Sequence, residues 1–246
     1  MLSANKSFFI PDWDLPSGVR AAISLRTGGV SVAPFASNNL ALHVDDDPAA
    51  VAINRQQLQQ ALGIQHIQWL NQVHGVDVIE AQANSSSTTQ VPTADAQFSR
   101  QSQLACAILT ADCLPVLFCA HDGSQVAAAH AGWRGLANGV LLNTLKTFAE
   151  PKRVKVFLGP AIGPDVFEVG PEVRAAFAWA SDACFKAGVG DRLLADLYQL
   201  AREQLMAAGV SDISGGGFCT FTEHERFYSY RRAARTGRLA SLIWRI

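Results

Sequence analysis

The stretch that decides the fold runs from Leu104 to Ala120 and reads LACAILTADCLPVLFCA. It contains two apolar runs, Leu104 to Leu109 and Leu114 to Ala120, and neither shows clean alternation of apolar and polar residues. Short continuous apolar runs are typical of strands that are buried on both faces. A third strand is predicted from Gln125 to His130, so the middle of the chain is expected to form the centre of a sheet.

Helices are expected on both sides of this strand-rich region. The best marked one has Asp47 as a suitable N-cap and Pro48 at its first position, and it ends at Gly63. Three further helices are predicted, at 136–148, 171–180 and 191–208. Further strands are predicted at 20–25, 67–70, 76–81, 154–158 and 239–246. Clusters of strands with helices between them predict an α+β fold of mixed sheets in one domain that spans residues 1–246.

Composition narrows the classes of function. The 246 residues carry a formal net charge of −1, so neither nucleic acid nor an anionic membrane is expected as a partner. No apolar stretch reaches the ~20 residues of a membrane span. Five cysteines without a CxxC pair, and an N-terminus without a signal sequence, indicate a reducing, cytoplasmic setting. The polar stretch 82–94 is predicted to be a surface loop, and nothing in the sequence indicates an oligomeric state.

Two histidines and one cysteine lie in three short, unusual stretches: NQVHG at 71–75, TADCLP at 110–115 and AHAGWRG at 129–135. Together His74, Cys113 and His130 offer three ligands of an open zinc site, which leaves a fourth position for water or substrate. The gaps of 39 and 17 residues between them are not local ligand spacings. Read singly, each residue is more often structural, since a buried cysteine behaves as a small hydrophobe and most isolated motif matches are false.

Residues near these stretches offer contacts for an anion and support for the ligands. After His130 the chain turns through glycines into a predicted helix, where free backbone N–H groups and Arg134 would attract a phosphate or a carboxylate. Asp112 is interpreted either as an acceptor that orients a ligand or as a turn carboxylate. The same two interpretations apply to Asp95, for which the loop is favoured. The remaining histidines are expected at the surface: His43, His66, His121 and His224.

Aromatic residues and arginines are concentrated at 227–232 and 236–238. One interpretation is a surface that binds anions or stacks on bases. The other, which the sequence alone favours, is an edge strand whose arginines are solvated. Cys219, just before this region, is interpreted as a core thiol.

Taken together, the motifs resemble those of the YfiH family, also called the polyphenol oxidase or laccase-domain family and, in bacteria, peptidoglycan editing factor. TADC-x-P and AHAGWRG are highly specific in combination, and the resemblance covers nearly the whole chain. The other matching stretches are LRTGGVS at 25–31, NL at 39–40, HV at 43–44, DDP at 46–48, NR at 54–55, QVHG at 72–75, GPAIGP at 159–164 and YSYRR at 228–232.

The resemblance implies a single-domain α+β sandwich of mixed sheets with flanking helices. It implies zinc held by His74, Cys113 and His130, which would also be the catalytic residues, with Arg26 and Asn39 near the substrate. The implied activity is phosphorolysis of adenosine, inosine and methylthioadenosine, with adenosine deamination as a second reaction. Purine nucleosides and phosphate are therefore the expected partners.

Three other functions remain open from the residues. The His, His, Cys set also suits a blue-copper oxidase, but such sites usually add an axial Met, and the chain has only Met1 and Met206. Copper is thus the less favoured metal. Cys113 could instead be the nucleophile of a hydrolase, with His74 or His130 as its base. The family's association with peptidoglycan editing implies a cell-wall precursor as the substrate of such a hydrolase. The last alternative is a scaffold protein with a structural metal and no turnover.

Overall fold

The computed structural model of the chain describes residues 7–83 and 91–246. The first six residues and most of the predicted polar loop, residues 84–90, lie outside the described part. Its strands are β1 (Phe8–Phe9), β2 (Val19–Ser24), β3 (His66–Gln68), β4 (Val78–Glu80), β5 (Ala96–Ser99), β6 (Leu104–Thr110), β7 (Leu114–Ala120), β8 (Val126–Ala131), β9 (Val154–Leu158), β10 (Glu168–Val169), β11 (Phe185–Ala187), β12 (Leu193–Ala195), β13 (Asp212–Gly215) and β14 (Leu239–Arg245). Its α-helices are α1 (Pro48–Leu62), α2 (Trp133–Ala137), α3 (Val140–Leu145), α4 (Pro171–Ala176) and α5 (Leu197–Ala207).

Two mixed sheets form the body of the molecule. One has five strands in the order β1-β2-β14-β6-β3, and the other has six in the order β13-β9-β7-β8-β5-β4. Parallel pairs lie at the edges of both sheets, namely β3 with β6, β4 with β5, and β9 with β13. Strand β14, the last along the sequence, pairs with β2 on one side and β6 on the other, so it lies in the middle of its sheet.

The two large sheets pack face to face. Ile23, Ile108 and Ile243 of the five-stranded sheet share one buried cluster with Leu117 and Phe157 of the six-stranded sheet. Helix α1 covers the outer face of the five-stranded sheet, and α3, α4 and α5 cover that of the six-stranded sheet. The α+β sandwich of mixed sheets with flanking helices is therefore confirmed.

Strand β7 shows why its sequence lacks alternation. Val116 and Phe118 pack into the cluster beneath the helices, whereas Leu117 and Cys119 pack into the cluster between the sheets. Both faces of the strand are buried, so neither face selects for polar residues. The prediction from the stretch 104–120 is confirmed.

Helix α1 has the predicted boundaries. The Asp47 carboxylate accepts a hydrogen bond from the backbone N–H of Ala49 at 2.9 Å, and Gly63 ends the helix with a φ of 64°. Such caps satisfy backbone groups that a helix leaves unpaired at its ends. No helix among the described residues is long and apolar enough to cross a membrane.

The single helix predicted at 136–148 is wrong. The chain instead forms two short helices, α2 and α3, because Gly139 between them has a φ of 93°. This left-handed conformation interrupts a right-handed helix. The helix that follows His130 is therefore only five residues long.

Two other predicted helices are shorter than expected. The segment predicted at 171–180 is helical only to Ala176. Of the segment predicted at 191–208, the first part forms β12, and α5 starts at Leu197. The Asp196 carboxylate accepts a hydrogen bond from the backbone N–H of Gln199 at 3.0 Å, which caps α5 at that point.

Candidate metal centre

The side chains of His74, Cys113 and His130 converge on one point. Their ligand atoms all lie within 4.8 Å of one another. Cys113 Sγ lies 3.7 Å from His74 Nε2, and the two imidazole rings meet edge to face with centroids 4.7 Å apart. His130 is buried while His74 is exposed, so the group is anchored in the protein and open to solvent on one side.

The register of the six-stranded sheet explains this convergence. In the antiparallel pair of β7 and β8, Leu114 lies opposite Ala131. Cys113, just before β7, therefore lies beside the end of β8 that carries His130. His74 enters from the connection between β3 and β4, and β4 belongs to the same sheet. Residues that are 39 and 17 positions apart in sequence thus meet at one end of the strands β7 and β8.

Asp95 is the buried carboxylate that fixes two of the three ligands. Its Oδ1 lies 2.8 Å from His130 Nδ1 and accepts the backbone N–H of His74 at 2.9 Å. Its Oδ2 accepts the backbone N–H groups of Val73 and Gly75 at 3.1 and 2.6 Å. A hydrogen bond at Nδ1 leaves His130 Nε2 as the ligand atom. The carboxylate therefore orients His130 and shapes the turn that carries His74.

Charge in the group favours an ionised thiol. Burial acts to raise the pKa of Cys113, but His130 and His74 outweigh it and lower the pKa to about 6. Burial acts to lower the pKa of His130, but the Cys113 thiolate and Asp95 outweigh it and raise the pKa. Without a metal, the two side chains thus form a thiolate–imidazolium pair. A thiol must lose its proton to ligate a metal, and the lowered pKa of Cys113 favours that loss. His130 would release a proton when the metal binds.

One of the ligand spacings is close to the value for a tetrahedral zinc ion. Zinc–nitrogen and zinc–sulfur bonds of roughly 2.0 and 2.3 Å at a tetrahedral angle place the two ligand atoms about 3.5 Å apart. The 3.7 Å from Cys113 Sγ to His74 Nε2 is close to that value. With three protein ligands, of which His74 is exposed, a bound metal would keep a fourth coordination position open to solvent. This arrangement is typical of catalytic zinc sites.

The Gly132→Ala variant is expected to bind zinc about ten-fold more weakly than wild type, or worse. A Cβ at this position would lie 2.8 Å from His74 Cδ2 and 3.0 Å from Cys113 Sγ. The backbone, with a φ of −61°, accepts alanine, so the strain falls on the ligands and not on the fold.

Competition with a chromophoric chelator measures the zinc affinity of this variant. Gly18→Ala is the matched control, because no atom lies within 4 Å of a Cβ there. Equal zinc affinity in both variants would contradict the prediction.

The ligand group forms part of the wall of a cavity of about 520 Å³. This volume suits a small-molecule ligand, for which sites of roughly 300–1,000 Å³ are usual. Apolar contact is offered by Leu109, Trp133, Ile162 and Phe167. The polar and charged residues of the wall include His43, Asp112, Arg134, Tyr230, Arg231 and Arg238.

The three predicted substrate residues occupy different places. Arg134 lines the cavity, with its guanidinium 4.2 Å from the centre of the Trp133 ring. Arg26 lies outside the lining and donates to the backbone oxygen of His224 at 2.8 Å. Asn39 is fully buried, and its side-chain oxygen accepts the backbone N–H of Arg238 at 2.9 Å. Asn39 therefore acts on the cavity through Arg238.

Two further residues lie at this centre, and the sequence did not favour a role in it for either. Asp95 lies in a loop, as expected, but its position just before β5, which pairs with β8, brings it to His130. His43 is exposed, as expected, but it also lines the cavity, and burial together with Arg238 and Arg55 lowers its pKa. The HV and DDP stretches around His43 were a usable signal, because they belong to the family resemblance.

Of the two interpretations of Asp112, the structure favours the carboxylate that accepts a backbone N–H group, although its partners lie in a distant segment of the chain. Its Oδ1 accepts the Thr220 hydroxyl at 2.6 Å, and its Oδ2 accepts the backbone N–H of Arg231 at 2.7 Å. It ties the segment that carries Cys113 to the C-terminal segment that carries Arg231. Asp112 is thus a positioning residue for the cavity wall.

Comparison with known proteins connects this geometry to a family. A family model described as multi-copper polyphenol oxidoreductase laccase matches residues 20–246. A protein from Pseudomonas aeruginosa named purine nucleoside phosphorylase is 53% identical, over 97% of this chain and 98% of its own length. Purine nucleoside phosphorylase YfiH of Escherichia coli is 50% identical, over 96% of this chain and 98% of its own length.

Solved structures share the fold. The crystal structure of Neisseria meningitidis protein NMB0706 is 46% identical, with a TM-score of 0.92 over 98% of this chain and 99% of its own. That of YlmD from Geobacillus stearothermophilus is 30% identical, with a TM-score of 0.89 over 98% of this chain and 99% of its own.

Proposed function

The chain belongs to the YfiH family, and from that membership we propose that it is a zinc-dependent purine nucleoside phosphorylase. Its substrates are adenosine, inosine and methylthioadenosine, and adenosine deamination is a side reaction. The observation that carries the proposal is the ligand group of His74, Cys113 and His130 in the wall of a cavity of small-molecule size. The names of the relatives, purine nucleoside phosphorylase, support phosphorolysis.

The cavity offers what phosphorolysis requires. An oxygen of phosphate bonds to C1′ of the ribose as the bond from C1′ to the purine nitrogen breaks, and the base leaves with that electron pair and takes up a proton. A zinc ion held by the triad would supply positive charge that orients an oxyanion and polarises a nucleophile. Trp133 and Phe167 supply apolar surface for a purine, and Arg134 supplies a cation. Both Asp112 oxygens accept hydrogen bonds from the C-terminal segment, so Asp112 positions the wall.

Incubation of the purified protein with inosine or adenosine, with and without phosphate, tests the proposal. We expect hypoxanthine or adenine together with ribose 1-phosphate, formed only when phosphate is present, and inosine from adenosine at a lower rate. Chromatography resolves all of these products. Removal of zinc with a chelator is expected to stop both reactions, and zinc addition to restore them. Unchanged nucleosides in the presence of phosphate and stoichiometric zinc would refute the phosphorylase proposal.

Copper-dependent phenol oxidation is the second candidate, because the family model is described as a laccase. A multi-copper cluster needs more ligands than this centre offers. Within residues 7–83 and 91–246, one group of three or more potential ligands converges, and residues 1–6 and 84–90 contain neither His nor Cys. Metal analysis of protein purified without added copper distinguishes the oxidase from the phosphorylase. Stoichiometric copper with phenol oxidation and no nucleoside cleavage would favour the oxidase.

A cysteine hydrolase is the third candidate, favoured by the thiolate at Cys113 with His74 3.7 Å away. A nucleophilic thiolate beside an imidazole is the arrangement that such enzymes use. This function requires no metal. Full activity in chelated protein, lost on alkylation of Cys113, would favour the hydrolase over the phosphorylase.

A further inference from the structure

We propose that Arg231 and Arg238 form the binding site for inorganic phosphate in the cavity beside the ligand group. This inference rests on the proposed phosphorylase function and names the subsite of its second substrate. The sequence alone favoured solvated arginines on an edge strand for this region. The structure has no strand at 227–238. Arg231 is exposed and Arg238 half-buried, and both side chains lie in the wall of the cavity that His74, Cys113 and His130 also line.

Arg231 is held in place from three sides. Its backbone N–H donates to Asp112 Oδ2 at 2.7 Å, next to the ligand Cys113. One guanidinium N–H donates to the backbone oxygen of Glu168 at 3.0 Å, and the guanidinium lies 5.6 Å from the centre of the Phe167 ring. A guanidinium fixed in this way loses little conformational freedom when it binds an anion.

Arg238 is held equally firmly, through a buried network. Its backbone N–H donates to Asn39 Oδ1, and the Asn39 side-chain amide donates to Asp46 at 2.9 Å. One guanidinium nitrogen donates to the backbone oxygens of Thr236 and Gly237 at 2.9 and 3.1 Å. The guanidinium lines the same cavity as Cys113 and Asp112, and burial lowers its pKa.

Neither arginine forms an ion pair with a described carboxylate. Within the part of the chain that the structure describes, no carboxylate oxygen lies within 4.0 Å of either guanidinium, whereas Arg100, Arg174 and Arg226 each have one. Asp112, the acidic residue of the wall, already accepts two hydrogen bonds through its two oxygens. Two guanidinium groups that form no ion pair with a described carboxylate therefore face the cavity that His74, Cys113 and His130 also line.

Inorganic phosphate fits this arrangement better than a neutral nucleoside does. Guanidinium groups bind phosphate through paired, charge-assisted hydrogen bonds. The five-residue helix α2 offers little dipole for an anion, so side chains have to supply the charge. Tyr230 follows in the same wall, next to Arg231 in sequence. The centre of its ring lies 5.8 Å from the Arg238 guanidinium carbon.

The test combines kinetics with direct binding for Arg231→Gln, Arg238→Gln and the corresponding lysine variants. For each glutamine variant, the KM for phosphate in inosine phosphorolysis is expected to rise by about ten- to a hundred-fold, which is the cost of losing a hydrogen bond to a charged group. The KM for inosine and the zinc content are expected to stay unchanged, and the lysine variants to recover part of the loss. Arg235→Gln is the matched control, since Arg235 belongs to the same segment but does not line the cavity.

Calorimetric titration of the zinc-loaded protein with inorganic phosphate gives a readout that is independent of turnover. Binding to wild type that weakens at least ten-fold in Arg231→Gln and Arg238→Gln supports the subsite, even if nucleoside cleavage itself is not observed. Equal phosphate affinity in wild type, the double glutamine variant and Arg235→Gln overturns the inference, even if phosphorolysis is confirmed. Thermal unfolding identifies a variant that has lost its fold, in which case the lysine variant at the same position decides the outcome.

Discussion

The Cys113→Ala variant is expected to lose stoichiometric zinc and phosphorolysis together. Cys113 contributes the one anionic ligand of the group, and its removal leaves two imidazoles, of which His74 is exposed. Loss of a residue that only supports a ligand typically costs about 10- to 100-fold in metal affinity, and loss of the ligand itself should exceed that. Metal analysis after dialysis, together with the rate of hypoxanthine release from inosine, measures both effects.

Cys219→Ser provides the control for this variant. Cys219 is a free, partly exposed cysteine whose sulfur accepts the backbone N–H of Gly163 at 3.3 Å, and it does not line the cavity of the metal centre. A serine hydroxyl can accept the same hydrogen bond. Wild-type zinc content and activity are therefore expected for Cys219→Ser. Stoichiometric zinc in Cys113→Ala would show that the ion lies elsewhere.

The Asp95→Asn variant is expected to bind zinc about 10- to 100-fold more weakly, although Asp95 contacts no metal. Its two oxygens accept three backbone N–H groups and face His130 Nδ1. Burial acts to raise the pKa of Asp95, but the hydrogen bonds with His130 and Gly75 outweigh it and lower the pKa, which keeps the carboxylate ionised. In asparagine, an amide NH₂ would replace one oxygen and would face backbone N–H groups, which are also donors. The turn that carries His74, or the ring of His130, would have to move.

Asp77→Asn is the matched control, because Asp77 is an exposed carboxylate on the segment between His74 and β4. Zinc affinity is expected to be unchanged in this control. Circular dichroism separates a local effect on the ligands from loss of the fold. Wild-type zinc affinity in correctly folded Asp95→Asn would show that the position of His130 does not depend on this carboxylate.

Local features of the fold were predictable from the sequence. The apolar run of β7 indicates burial on both faces, and Asp47, Pro48 and Gly63 set the bounds of α1, because these effects act within a few residues. The break at Gly139 was readable in principle, since glycine permits the left-handed φ found there. Apolar periodicity across 136–148 outweighed that signal in the prediction.

The metal centre was predictable only in part. The family motifs joined His74, Cys113 and His130, but the contact between Asp95 and His130 depends on the register of β5 with β8. Such a register joins residues 35 positions apart and leaves no local pattern. The same holds for Asp112 and Arg231, which lie 119 positions apart. Long-range hydrogen bonds of this kind become visible only in the folded molecule.

The central position of β14 has a consequence for the order of events during protein synthesis. The five-stranded sheet lacks its middle until residues 239–245 have left the ribosome, because β2 and β6 both pair with β14 and not with each other. Pairings of such long sequence separation form slowly. Arg238, immediately before β14, joins the cavity wall only at this stage. The nascent chain therefore completes its cavity only once residues 238–245 have emerged, and a product truncated before residue 239 would display an unpaired apolar sheet to the cell's quality-control machinery.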